Sequence, residues 1–138
     1  MEFIKSDSMK VDVFAHQKTQ ISSKEKIKTA LTKPGVFGFD IFENGNMIGF
    51  VMIRRFADKK YFLWNYAIDK NFQNMGLGKK ALKEFIEFIK KEFNATLLTT
   101  TYKWGNIPAK NLYKQLGFIE TEIIDEVDAH EVDMMLEL

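Results

Sequence analysis

Gln73-Asn74-Met75-Gly76-Leu77-Gly78 is the most informative segment of this sequence, because of what lies on either side of it. Before it, Tyr61 to Asp69 is rich in aromatic residues and is typical of a central strand. After it, Gly76 to Phe93 has the i, i+3, i+4 apolar spacing of an amphipathic helix. The apolar positions are Ala81, Leu82, Phe85, Ile86, Ile89 and Phe93. A helix that begins here directs its free N–H groups and its positive end at the turn, and that geometry binds phosphate.

The two glycines of this turn fit the same interpretation. A diphosphate must lie against the backbone itself, and a Cβ at Gly76 or Gly78 would hold it away. Lys79 and Lys80 add positive charge beside the turn. The sequence therefore predicts a phosphate-binding turn between a strand and a helix.

Two common phosphate-binding motifs do not match the stretch. A P-loop needs Gly and Ser or Thr where this chain has Gln73 and Lys80. Gly76, Gly78 and Ala81 match the dinucleotide fingerprint, but residues 95–103 contain no acid to bind a ribose. A tight turn that binds nothing remains an alternative.

Working outward toward the N-terminus, the pattern predicts two more strands and a helix. Ser22-Ser23-Lys24-Glu25 is a capping box, which predicts a helix from Ser23 to Thr32 that ends at Pro34-Gly35. Val11, Phe14 and Ala15 predict a short helical piece before it. Asn44-Gly45 suits the type I′ turn of a hairpin between Val36–Phe42 and Met47–Phe56. Because Tyr61 to Asp69 has aromatic residues on both faces, we expect burial on both sides.

Toward the C-terminus, the pattern predicts three strands and a helix. Ala95 to Tyr102 is expected to be a parallel neighbour of Tyr61 to Asp69, since a helix connects the two strands. Asn106 is placed to cap a helix that Gly117 ends. The apolar face of that helix is Ala109, Leu112, Tyr113 and Leu116. Phe118–Ile124 and Val132–Leu138 alternate as a closing antiparallel pair.

Composition limits the class of protein. A chain of 138 residues with 46% hydrophobic residues and 13 Phe suits a single globular domain. The absence of cysteine excludes disulfides, thiolate-bound metals and a thiol nucleophile. The longest apolar runs are too short for a membrane span, and Met1 to Lys10 lacks the apolar core of a signal peptide, so we expect a cytoplasmic protein.

Charge is divided unevenly along the chain. All 20 Lys and Arg lie at or before Lys114, while the last 21 residues have no Lys or Arg. That segment holds eight acids: Glu120, Glu122, Asp125, Glu126, Asp128, Glu131, Asp133 and Glu137. The division suits an enzyme with an anionic cofactor on one side and a cationic substrate on the other, although mutual neutralisation of the two segments in the fold explains it equally well.

Two ordered motifs resemble the GNAT superfamily of N-acetyltransferases. The turn Gln73-x-x-Gly76-x-Gly78 resembles that superfamily's Arg/Gln-x-x-Gly-x-Gly/Ala signature, and Asn106-x-x-Ala109-x-x-x-Tyr113-x-x-x-Gly117-Phe118 is similar to its second conserved block. The resemblance covers Val36 to Leu138. It implies an α/β (α+β) fold in one domain, residues 1–138, with a mixed, twisted sheet of about six to seven strands flanked by helices and with splayed parallel central strands. The N-terminal strand, Glu2 to Lys5, would be short or missing.

The resemblance also implies a cofactor site without a metal. Acetyl-coenzyme A would be held at its pyrophosphate by backbone N–H groups, with Gln73 at the start of the turn. Those residues are Met75, Gly76, Leu77, Gly78 and Lys79. The backbone of Ala67 and Ile68 would pair with the pantetheine arm, and one N–H there would polarise the thioester carbonyl. Asn106 would either bind the pantetheine or cap its helix.

The implied chemistry is direct attack of a neutral amine on the thioester. Tyr113, by its place in the second motif, would be the general acid that protonates the departing thiolate. Many relatives have a carboxylate on the central strand, whereas this chain has Asn65, which cannot act as a base. Glu122, His130 or an ordered water chain is left as the base, and the candidate residues of the acceptor site are Asn65, Glu122 and His130.

The acceptor is the least defined part of this hypothesis. Similarity to bacterial diamine and polyamine acetyltransferases favours a small cationic amine, while a peptide or ribosomal-protein amine and an aminoglycoside stay open. A different class, an acetyl-coenzyme A sensor without turnover, is compatible with Asn65. Nucleic-acid binding is disfavoured, because the lysines of Gly76 to Phe93 alternate with glutamates as on a solvated helix. Homodimerisation through the terminal strands remains an option.

Overall fold

The computed structural model describes residues 1–127 and 129–138, and Asp128, one of the acids counted above, lies outside them. The strands are β1 (Glu2–Ser6), β2 (Val36–Glu43), β3 (Asn46–Ala57), β4 (Lys60–Ile68), β5 (Leu97–Lys103), β6 (Ile119–Glu126) and β7 (Ala129–Glu137). The helices are α1 (Lys24–Ala30), α2 (Leu77–Glu92) and α3 (Ile107–Gln115), with 3-10 turns at Ala15–Gln20 and Lys70–Phe72. No helix among the described residues is long and apolar enough to cross a membrane.

All seven strands form one mixed sheet in the order β1-β2-β3-β4-β5-β7-β6. The N-terminal strand is present as five residues that pair antiparallel with β2. The β2–β3 hairpin turns at Asn44 and Gly45, whose φ angles of 51° and 80° are those of the predicted type I′ turn. β6 and β7 form the expected antiparallel pair, and β7 lies between β5 and β6.

The central parallel pair, β4 and β5, is joined at one end only. Their ladder consists of three residue pairs, from Lys60 opposite Leu97 to Phe62 opposite Thr99. Beyond it, the Thr100 hydroxyl donates a hydrogen bond to the Leu63 carbonyl at 3.2 Å. The predicted splay of the central strands is therefore confirmed, and it leaves one edge of β4 unpaired toward its C-terminal end.

Helix α2 fills the larger core, on one face of the sheet. It runs between Gly76 and Phe93, as the spacing predicts, and its apolar side chains from Ala81 to Ile89 are buried. Phe85 lies 5.3 Å from Phe3 and 5.8 Å from Phe39 between ring centroids, so the helix is packed against β1 and β2 as well as the central strands. The position of the helix start is fixed by this core.

Helix α3 begins and ends as the sequence predicts. The Asn106 side chain accepts a hydrogen bond from the Ala109 N–H at 3.3 Å. At the other end Gly117 has a φ of 98°, and the Phe118 N–H donates to the Tyr113 carbonyl at 3.0 Å. These are the bonds of a Schellman end, in which glycine supplies the left-handed residue.

The N-terminal helical predictions are wrong in two details. Helix α1 is capped by Ser23, whose hydroxyl accepts from the Lys26 N–H at 3.2 Å, so Ser22 and Glu25 do not form a capping box. The hydroxyl of Ser22 is instead a partner of Asn65. The helical piece predicted at Val11 to Ala15 is also wrong: Val11 and Val13 are buried against the second face of the sheet in a stretch without regular secondary structure, and the 3-10 turn starts only at Ala15.

Strand β4 is not buried on both sides along its whole length. Trp64 is an extra residue between two register pairs, Ile53 opposite Leu63 and Met52 opposite Asn65, and it is 41% exposed. This bulge sends Leu63 to the α2 face and Asn65 to the α1 face. A strict two-residue alternation cannot anticipate it, which is why the sequence-based expectation is wrong here.

Candidate functional site

A cleft of about 910 Å³ lies where β4 and β5 separate. Both strands line it, together with α3 and the chain between Gln17 and Lys26. It opens at the C-terminal end of β4, beside the glycine turn, whose Asn74 and Gly78 also contribute to its wall. The predicted phosphate-binding turn and the splayed strands therefore form a single site.

The glycine turn presents a row of free backbone donors. Within the residues that the structure describes, no group accepts a hydrogen bond from the N–H of Met75, Gly76, Leu77, Gly78 or Lys79. The first turn of α2 has no acidic residue. Gly76 has a φ of 75°, and a Cβ built on it would meet no atom within 4 Å. Free amides, an open approach and a positive helix end are together suited to a pyrophosphate.

A partly buried hydrogen bond joins this turn to β4. The Tyr66 hydroxyl donates to the Gly78 carbonyl at 2.5 Å, within the first turn of α2. Burial, and then the nearby Tyr113 hydroxyl, raise the pKa of Tyr66 well above its ordinary value. The phenol thus remains protonated and holds the helix start against the central strand.

Along β4, only every second residue directs its backbone N–H and C=O groups at the unpaired edge. Because the Asp69 N–H bonds to the Ile48 carbonyl and Ala67 lies opposite Phe50, strand alternation directs the backbone of Ala67 toward β3. The backbone groups of Tyr66 and Ile68 face the cleft. Of the two residues predicted to pair with a pantetheine arm, only Ile68 presents its backbone there.

Tyr113 lines the cleft from α3, on the same side of the sheet as α2. Burial raises the pKa of its hydroxyl, and the nearby Thr100 side chain opposes that shift in part. Asn106 lines the cleft as well, with its side-chain oxygen occupied by the helix cap. A protonated phenol therefore faces the space between the splayed strands.

Asn65 and Gln73 are both engaged with the N-terminal segment that lies along the cleft. The Asn65 oxygen accepts from the Ser22 N–H at 2.9 Å, and its amide donates to the Ser22 hydroxyl at 3.2 Å. The Gln73 amide donates to the Ile68 carbonyl at 2.9 Å and exchanges two hydrogen bonds with Gln17. Both side chains therefore hold the N-terminal segment in place through hydrogen bonds.

The other two acceptor-site candidates, Glu122 and His130, are not among the residues that line the cleft. Glu122 lies on the exposed strand β6, opposite Asp133 of β7. His130 Nδ1 lies 2.7 Å from Asp125 Oδ1. Glu131, next to His130, does line the cleft, and it is the one carboxylate to do so in the described residues. In addition, three lysines line it: Lys18, Lys26 and Lys103.

Sequence analysis missed Glu131, Tyr66 and Gln17. For Glu131 a signal exists: Val132 and Met134 are core residues of β7, so strand alternation puts Glu131 on the opposite face. Tyr66 and Gln17 have no such signal, because their roles depend on a bulge in β4 and on contacts distant in sequence.

The parallel strands, the open edge and the amide-lined helix start define an α/β protein built to hold a phosphorylated cofactor between two strands. The chain belongs to the Acetyltransferase (GNAT) family, whose model matches residues 5–118. In the described residues, no group of three or more His, Cys, Asp or Glu is arranged to hold a metal ion.

Relatives share this family and fold. The chain is 34% identical over 85 residues to the [Ribosomal protein bS18]-alanine N-acetyltransferase of Escherichia coli, covering 62% of this chain and 56% of that protein. It is 31% identical over 85 residues to the probable spermine N(1)-acetyltransferase of Bacillus subtilis subsp. natto, covering 56% of each chain. The chain thus spans about half the length of these curated relatives. The crystal structure of a GNAT family acetyltransferase from Elizabethkingia anophelis, with acetyl-CoA bound, superposes with a TM-score of 0.74 at 20% identity, over 99% of this chain and 97% of that one.

Replacing Tyr66 with Phe tests the anchor between β4 and α2. The change keeps the ring and removes the bond to Gly78, so we expect the free energy of unfolding in urea to fall by about 1 kcal/mol. Tyr61→Phe is the matched control, since Tyr61 is also buried on β4 and its hydroxyl makes no hydrogen bond in the described residues. Equal losses in the two variants would show that the hydroxyl bond does not stabilise the fold.

Proposed function

We propose that this protein transfers the acetyl group of acetyl-CoA to a primary amine. The observation that carries the proposal is the row of free N–H groups from Met75 to Lys79, which opens beside the unpaired edge of β4. Acetyl-CoA, when bound, supplies an acetyl group activated as a thioester. Family membership supports the same assignment.

The binding residues follow from the directions of these donors. The amides of Met75, Gly76, Leu77, Gly78 and Lys79 would hold the pyrophosphate, and Gln73 would fix the turn from which they start. The open edge of β4 at Tyr66 and Ile68 would pair with the pantetheine arm, in place of Ala67. Asn106 would contribute through the position of α3, because its oxygen is already bonded to Ala109.

Tyr113 is proposed as the general acid. A phenol is protonated at neutral pH, and burial, which raises the pKa of Tyr113 further, keeps the proton on its oxygen until the departing thiolate accepts it. A sensor that holds acetyl-CoA without turnover would have no use for a protonated phenol at this place, so the geometry favours an enzyme over the sensor alternative. Asn65 gives no support to the sensor alternative, since its side chain is hydrogen-bonded to Ser22.

Glu131 is proposed to receive the proton of the acceptor amine. An alkylamine with a pKa of about 10.4 is protonated at pH 7 and must lose a proton before it can attack. Glu131 reaches the cleft from the face of the sheet opposite the core that contains Tyr113. Proton removal at the nitrogen and proton delivery at the sulfur would thus occur on opposite sides of the acetyl carbon. The new bond joins nitrogen to that carbon, and the bond to sulfur breaks.

A small cationic acceptor, similar to a polyamine, has support from the carboxylates around Glu131. Asp133 lies on the same face of β7, opposite Glu122 on β6. Burial, and then the charge of Glu122, raise the pKa of Asp133, so a bound cation there would relieve a repulsion. The alternative is a protein or peptide amine. The Escherichia coli relative is named for an alanine of ribosomal protein bS18, and the lysines that line the cleft would suit an acceptor with fewer positive charges than a polyamine.

Thiol release from acetyl-CoA with spermidine, putrescine, an alanine-initiated peptide and an aminoglycoside tests the function directly. We expect amine-dependent release that falls at least about tenfold in Tyr113→Phe, which is about 1.4 kcal/mol of transition-state stabilisation. Unchanged activity in the variant would exclude Tyr113 as the acid. CoA binding without turnover of any amine would instead support the sensor alternative.

Gly76→Ala tests the pyrophosphate turn. The alanine must adopt a φ near 75°, which costs about 1 to 2 kcal/mol of stability and turns the neighbouring amides. We expect the Kd for CoA, measured by calorimetry, to rise at least about tenfold. Gly45→Ala is the matched control, since Gly45 has a φ of 80°, has no atom within 4 Å of a built Cβ, and lies in the hairpin turn. An equal loss of affinity in both variants would mean that strain alone weakens binding.

Glu131→Gln tests the proposed base. Because the amide cannot accept the proton, kcat/KM for the best acceptor should fall about 100-fold, while the Kd for CoA changes less than about twofold. Glu126→Gln and His130→Ala are controls that should retain most activity, since neither side chain lines the cleft. Added formate should restore part of the rate of Glu131→Ala. A full rate in Glu131→Gln, or a loss confined to the two controls, would contradict the assignment.

A further inference from the structure

The chain from Phe14 to Ser23, which we name the strap, lies along the cleft and is tied to three parts of the site. Its middle is bonded through Gln17 to Gln73, at the start of the glycine turn. The Thr19 carbonyl accepts a hydrogen bond from Lys103 Nζ at 2.6 Å, at the end of β5. Its C-terminal end is bonded through Ser22 to Asn65 on β4. The strap therefore touches both splayed strands and the turn between β4 and α2.

The contact between Gln17 and Gln73 is a reciprocal amide pair. Each Nε2 donates to the other side chain's Oε1 at 2.8 Å. The second N–H of the Gln73 side chain donates to the Ile68 carbonyl at 2.9 Å, and Gln17 Oε1 also accepts from the Phe14 N–H at 3.2 Å. A continuous set of hydrogen bonds thus runs from the start of the strap to the end of β4. Both N–H groups of the Gln73 side-chain amide thus donate hydrogen bonds, and the orientation of this amide is fixed.

The strap has few apolar contacts with the rest of the protein. No residue of the 3-10 turn Ala15–Gln20 is buried, Phe14 stacks on His16 within the strap itself, and Ile21 packs, partly buried, against the smaller core. A segment with so few buried apolar contacts opens at low free-energy cost, so its placement depends largely on its hydrogen bonds to Gln73, Lys103 and Asn65. If the glycine turn affects the placement of the strap, the strap affects the glycine turn by the same free energy, because coupling between two sites is reciprocal. Whatever fixes the glycine turn also fixes the strap.

We propose that Gln17 is a positioning residue for the glycine turn, and that cofactor binding and closure of the strap are energetically coupled through the Gln17–Gln73 pair. The proposal rests on the proposed function, since it assumes that the turn binds CoA. In this proposal Gln17 acts through Gln73 and does not itself contact the cofactor. Loss of the pair frees the Gln73 side chain and the backbone from which the amide row starts, so affinity falls while the chemistry of a bound complex is preserved.

Calorimetry with CoA tests the coupling. Gln17→Ala should raise the Kd for CoA at least about fivefold, and kcat at saturating acetyl-CoA should change less than about twofold. In a Gln73→Ala background the same substitution should have less than about a twofold effect, because its only route has been removed. His16→Ala is the control, since His16 is an exposed neighbour on the same turn with no hydrogen bond in the described residues. Additive effects of Gln17→Ala and Gln73→Ala would overturn the proposal.

Limited trypsin digestion gives a second readout that needs no turnover. Lys18 lies in the strap next to Gln17 and is exposed, so cleavage after it reports opening of the strap. CoA should slow this cleavage at least about fivefold in the unaltered protein and His16→Ala, and less than about twofold in Gln17→Ala at saturating CoA. Equal protection in all three would overturn the proposal alone. An unaltered protein that does not bind CoA would overturn the proposed function, and this proposal with it.

Discussion

The site depends on an interrupted ladder between two parallel strands. β4 and β5 pair over three residues and then separate, which leaves backbone donors and acceptors of β4 without strand partners. Unpaired backbone groups in a buried place are costly, so this gap is stable only where another group, water or a ligand takes the place of the missing strand. The bulge at Trp64 and the bond from Thr100 to Leu63 set where the separation begins. Every other functional feature is arranged around that gap.

The two faces of the sheet have different tasks. On the α2 face, a dense aromatic core fixes the start of α2, and Tyr66 fastens that start to β4. On the α1 face, the second core is small and the strap is held by polar side chains. A glycine turn beside a tightly packed core is thereby combined with a strap that is held mainly by a few hydrogen bonds. Proposed acid and base, Tyr113 and Glu131, come from these opposite faces.

Local sequence patterns predicted most of the fold. The α2 helix, the type I′ turn at Asn44-Gly45 and the two ends of α3 at Asn106 and Gly117 are confirmed, because each depends on residues that are neighbours in sequence. The cap of α1 was misplaced by one residue since Ser22 has a partner 43 positions away, in Asn65. The expectation that β4 is buried on both sides is wrong at Trp64, because a bulge there changes which side chains share a face.

For the site, sequence motifs alone predict the glycine turn, Tyr113 on the inner face of α3 and the family, since these follow from motifs of adjacent residues and from helical spacing. The folded chain is needed to see which carboxylate lines the cleft, which backbone groups of β4 are free, and what Asn65 and Gln73 bind. Each of these depends on strand register and on contacts between residues far apart in the chain. A pattern along one strand contains neither.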